Sequence, residues 1–149
     1  MKLLSIFVLI GILPSCSGPP QPSQVFQRTT VCEVQVAPES FSDLDIEIEA
    51  EVSASYHDVY LVSPRCPRAG VRVKFPTDRD ADHGTTTFED ALFHCCRSGQ
   101  TLSGIFRGKY KSYAREIRED PNLFLEQGLT NNLELVAISN LRVTGGRRD

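Results

Sequence analysis

From Asp45 the chain reads Asp-Ile-Glu-Ile-Glu-Ala-Glu-Val-Ser-Ala-Ser-Tyr, ending at Tyr56. Ile46, Ile48, Ala50, Val52, Ala54 and Tyr56 occupy one parity; Glu47, Glu49, Glu51, Ser53 and Ser55 occupy the other. No helix sorts residues this way. A strand does, because successive side chains leave opposite faces of the sheet. The stretch therefore predicts a long half-buried strand, and the residues after Tyr56 fit a meander built on it. His57-Asp58 makes a tight turn, Val59 to Val62 returns, and Ser63 to Gly70, with Pro64 and Pro67, forms a loop. Val71, Val73 and Phe75 then face inward while Arg72 and Lys74 face outward, and Pro76 ends the strand.

One helix has a clear amphipathic period. Phe88, Ala91, Leu92, Cys95 and Cys96 recur on one face, Thr86 with Glu89 gives a capping-box spacing, and Gly99 is a ready stop. A second long alternating run comes next, with Leu102, Gly104, Phe106, Gly108 and Tyr110 on one side and Ser103, Ile105, Arg107, Lys109 and Lys111 on the other. The polar stretch from Tyr113 to Asn132 is too long for a bare loop, so a short helix is expected around Leu123 to Gln127. Leu133 to Val143 is the last strand. Ahead of the meander, Thr30 to Val36 reads as a strand around Cys32, stopped by Pro38, with a turn from Ser40 to Leu44.

The N-terminus is of another kind. Lys2 precedes an uncharged apolar run from Leu3 to Leu13, too short to span a bilayer comfortably and followed by Pro14, as in a secretory signal. The junction Leu13-Pro14-Ser15-Cys16 resembles the bacterial lipobox, although Pro14 and Ser15 are uncommon choices there. The resemblance implies that Cys16 is diacylated and becomes the mature N-terminus. Cleavage nearby that leaves a soluble protein is the plainer alternative. Ser17 to Gln27, with Pro19, Pro20 and Pro22, reads as a tether. The expected division is a signal peptide over 1–15, a tether over 16–28, one folded domain over 29–144 and a tail over 145–149. Loss of Lys2 would move the formal charge from −3 to −4. With Cys16 lipidated, Cys32, Cys66, Cys95 and Cys96 form an even set, which in an exported chain reads as two disulfides.

Three strands, a helix and two more strands, with a long first strand, form an order that resembles the OB-fold, a five-stranded Greek-key barrel. The resemblance covers about Asp45 to Val143 and is topological; the chain looks like the small exported OB-like proteins of bacteria without an assigned activity. It implies that the first and fourth barrel strands pair antiparallel, setting Glu47, Glu49 and Glu51 against Arg107, Lys109 and Lys111. It also implies that the loop after the second strand and the start of the first lie at the end closed by the helix. Cys32 and Cys66 are then each expected to reach one of Cys95 and Cys96, with the choice open.

Motifs for hydrolases, metalloproteases, phosphate loops and dinucleotide binding do not occur in the sequence, so an enzyme is not expected. His57, His83 and His94 fall in a turn, an acidic loop and a helix. The face an OB barrel uses for ligands would offer Tyr60, Arg72 and Lys74, with Tyr56 and His57 at the rim. That is too few aromatics, on too acidic a body, for single-stranded nucleic acid. The expected function is a non-enzymatic binding or scaffolding module of the cell envelope. It would be exported and lipid-anchored in a membrane (the outer membrane or periplasmic face in a diderm cell), and would recognise a protein, peptide or small ligand at the rim. The alternative is a calcium-dependent module. Asp78, Asp80 and Asp82 stand at positions one, three and five of a loop whose position seven is Gly84 and whose position twelve is Glu89, resembling an EF-hand loop. His83 takes the place of the usual glycine. A solvated acidic loop is the simpler reading, and no other cofactor is expected.

Overall fold

The computed structural model describes residues 24–55, 58–77, 84–95, 100–123 and 130–145. Six strands are present: β1 (Gln27–Thr29), β2 (Asp45–Ala54), β3 (Val59–Val62), β4 (Gly70–Lys74), β5 (Thr101–Lys111) and β6 (Asn132–Thr144). The helices are α1 (Val31–Val36), α2 (Thr85–Cys95) and α3 (Ala114–Glu119), with a 3-10 turn at Pro38–Phe41. The protein is mainly β, a six-stranded mixed sheet in which a ring of hydrogen-bonded ladders runs β2, β3, β4, β6, β5 and back to β2. The β4–β6 ladder is parallel and the other four in the ring are antiparallel. β1 is an addition, pairing parallel with the first half of β2.

The alternation in β2 sorts as its sequence predicts: Ile46, Ile48, Ala50 and Val52 are buried among Leu61, Val71, Val73, Leu102, Phe106, Leu133 and Leu135. At about 25 cal/mol per Å2 of apolar surface, each of the larger fully buried side chains contributes roughly 1.5–3 kcal/mol. Gly108 faces this interior where β5 shifts register against β6, and a Cβ there would overlap the Glu134 carbonyl. Tyr110 also points inward. Among the described residues its hydroxyl has no hydrogen-bond partner, and burial pushes its pKa up to about 12.

The N-terminal segment departs from expectation. Val31–Val36 is a helix, where its β-branched composition suggests a strand. Thr30 caps it in a full capping box: the Glu33 N–H donates to Thr30 Oγ1 (3.2 Å) and the Thr30 N–H donates to Glu33 Oε2 (2.8 Å). Val31 and Val34, three apart on one helical face, enter the core. Strand pairing begins at Gln27, inside the stretch expected to be tether. The Thr86–Glu89 capping spacing is not used as a cap. α2 starts at Thr85, so Thr86 lies within it; Phe88 N–H donates to the Gly84 carbonyl (3.0 Å), and Gly84 holds a left-handed backbone at φ 76°. The first segment after β5 to turn helical is 114–119; most of the helix expected at 123–127 lies outside the described residues.

The charged ladder is also corrected. Glu47 does face Arg107, but Glu49 faces Ile105 and Glu51 faces Ser103. Lys109 faces Asp45, and Lys111 pairs with Asp43.

Candidate functional site, a disulfide-strapped cleft

The site arises because two strands leave the same edge of β2. β1 pairs with Ile46 to Ile48 and turns away into α1; β3 pairs with Glu51 to Ala54 and leaves at Val62 into the 63–69 loop. Glu49 and Ala50 lie between the two ladders. The diverging segments open a cleft of about 980 Å3. One wall is Thr29 to Glu33, the other is Val62 to Arg65, and the floor is Glu49, Ala50 and Glu51 with Ser103 and Ile105 of β5.

A disulfide joins the segments that form the walls. Cys32 of α1 is bonded to Cys66 of the loop, their Cα atoms 5.7 Å apart. This overturns the expectation that each would pair with Cys95 or Cys96. Because residues 31–36 are helical and dock beside the start of β4, with Gln35 Nε2 donating to the Gly70 carbonyl (2.6 Å), Cys32 is carried onto the 63–69 loop. Cys95 is buried on α2, with its sulfur 3.2 Å from the Gln100 carbonyl, and Cys96 lies outside the described residues.

Glu47 closes one end of the floor. β1 sets Arg28 on one side of it and β5 sets Arg107 on the other. Arg28 Nε donates to Oε1 (2.8 Å) and Arg107 Nε to Oε2 (2.6 Å), so a carboxylate only 11% exposed is satisfied from both edges. The hydrogen bond from Arg107, more than the burial that opposes it, holds the carboxyl below its ordinary value. Glu33 is held low as well, first by the hydrogen bond from the Thr30 hydroxyl and then by Thr29. A depressed folded pKa contributes stability that is present above the unfolded value, about 4.5, and is lost as pH falls through the folded one. Glu47→Gln is therefore expected to lower stability by about 1–3 kcal/mol at neutral pH. The gap from wild type should narrow as urea titrations move below about pH 4.5. A gap constant from neutral to strongly acid pH would show that Glu47 is not acting as an ion.

The expected rim residues are only partly assembled. Tyr60 and Arg72 are direct cross-strand neighbours, with Tyr60 half-buried against Gly70. Arg72 Nη2 is 2.5 Å from Asp58 Oδ1. Together with Lys74, Phe75 and Asn132, Arg72 lines a smaller depression of about 500 Å3. Lys74 sits 3.5 Å from Glu134. Tyr56 and His57 lie outside the described residues. So do Cys16 and the calcium-loop positions Asp78, Asp80, Asp82 and His83. Of that loop, Glu89 is exposed on α2 and the Gly84 carbonyl is directed into the helix by its bond from Phe88. Among the described residues, no group of three or more metal-ligating side chains converges, and no helix is long and apolar enough to cross a membrane.

The cleft is marked in the sequence by one local signal only. That signal is Thr30-x-x-Glu33, a capping box that turns Cys32 onto a helix. Fold and site together define a mainly-β protein whose ring of strands carries a covalently strapped surface cleft. In comparisons with known proteins, the chain matches no family model, no curated protein and no solved structure.

Proposed function

We propose that the chain is a non-enzymatic binding or scaffolding module of the cell envelope, built on an OB-like barrel and anchored by a lipid on Cys16. The ring order, the parallel β4–β6 ladder and the placing of α2 between the third and fourth ring strands agree with the OB arrangement. β1 and α1 are additions to it. The observation that carries the binding role is the cleft, whose two walls belong to segments joined covalently by the Cys32–Cys66 bond. A disulfide fits an exported chain.

Nucleic acid is not the proposed ligand. The chain is acidic, and the two cations on the expected ligand face, Arg72 and Lys74, are engaged by Asp58 and Glu134. Calcium dependence through loop 78–89 is the alternative, resting on the spacing of its carboxylates. Crosslinked pull-down of the native envelope protein, with and without chelator, tests both readings. A reproducible partner that survives chelation supports the module, and loss with chelator supports the calcium alternative. Mass spectrometry of the mature N-terminus tests the anchor: a free amine at any residue other than a lipid-modified Cys16 removes it.

A further inference from the structure

Glu47, Glu49 and Glu51 leave the same outer face of β2, two residues and therefore roughly 6.8 Å apart. Glu47 is satisfied by two guanidinium groups; its neighbours are not. Across the β5 ladder Glu49 meets Ile105 and Glu51 meets Ser103, neither of which carries a counter-charge. On the β3 side Glu51 meets Val62. Among the described residues neither carboxylate has an ion pair or a side-chain hydrogen bond, and both line the cleft floor.

Resting on the reading of the cleft as the binding site, we infer that its occupant is an extended basic peptide segment carrying Lys or Arg at alternate positions. Side chains that leave one face of an extended peptide recur every roughly 6.8 Å, the same spacing as Glu49 and Glu51. Their aliphatic stems would lie along Ile105 and Val62 while their charged heads reach the two carboxylates. Arg65, exposed on the opposite wall, gives the cleft a polarity: basic side chains are favoured on the floor and disfavoured toward that rim.

The test uses the full mature chain and short fluorescein-labelled peptides of alternating Lys and Ser, with Glu-Ser and all-Ser counterparts, at physiological salt. The Lys-Ser peptide should bind, and Glu49→Gln with Glu51→Gln should weaken it about tenfold. Arg65→Glu should strengthen it about two- to fivefold, and Glu134→Gln, remote from the cleft, should leave it unchanged. Ser103→Arg supplies a cation opposite Glu51 and should compete with the peptide. Equal binding of the three peptides, no binding of any, or indifference to the double glutamine variant overturns the inference. The two ideas fail separately. If the pulled-down partner is lost in Ser103→Arg but the basic peptide is not preferred, the cleft stands and the peptide class falls. If the partner is retained in Ser103→Arg, the cleft itself is not the site.

Discussion

Replacing Phe88 with alanine is expected to cost about 3–5 kcal/mol, as for a buried aromatic truncated to a methyl group. Phe88 is fully buried, packing against Phe75 (ring centroids 5.7 Å) and edge-on against Phe106 (5.9 Å). It is the main side chain by which α2 enters the interior, since of that helix only Phe88 and Cys95 are buried among the described residues. The lost contacts cannot be recovered by collapse, because Phe75 is fixed at the end of β4 and Phe106 in the β5 ladder. Phe93, more than half exposed on the same helix, provides the contrast, with an expected change of about 0.5 kcal/mol or less on truncation. Urea titrations of the two variants decide the matter, and equal costs would mean that α2 is not docked through Phe88.

The second large effect is that of Cys32→Ser with Cys66→Ser. The bond closes a segment of 34 residues, for which loop entropy gives roughly 3–4 kcal/mol. Reduced wild type and the double variant should melt at similar temperatures, both below the oxidised protein. Non-reducing peptide mapping should recover Cys32 joined to Cys66; a fragment joining either of them to Cys95 or Cys96 would refute the pairing. Loss of the strap should also weaken whatever the cleft binds, because the wall from Thr29 to Glu33 then keeps the β1 ladder, Val31, Val34 and the Gln35–Gly70 hydrogen bond but loses its covalent tie to the facing wall.

The long strands are legible because their information is local. In β2 and β5 the alternation of apolar and polar residues states which face is buried, and burial matches it from Leu102 to Tyr110 and, apart from Glu47 beneath its two arginines, from Ile46 to Val52. The charge ladder is harder because alternation fixes which face each side chain takes and leaves the register between the two strands open to any even slip. Once Glu47 meets Arg107, moving two residues up β2 means moving two down β5, so Glu49 must meet Ile105. A register four residues further along β5 would oppose all three acids to all three bases, Glu47 to Lys111, Glu49 to Lys109 and Glu51 to Arg107, with the same faces buried. Val31–Val36 misleads for another reason: its valines suit a strand, and a cap at Thr30 outweighs them. That single misreading hides both the disulfide and the cleft, since each depends on where a helix carries Cys32.

The parallel pairing of β1 has a mechanical consequence. Tension applied at the N-terminal side of Gln27 pulls along β1, so the short ladder to β2 and the Arg28–Glu47 pair resist it together, in shear. If they give way, the chain can unravel only to Cys32, five residues further on. There a covalent bond passes the force to Cys66 and the far side of the sheet. The strap across the cleft is thus also the stop that keeps a pull from the N-terminus, once it has drawn out Val31, from unravelling the chain on to Val34 and β2.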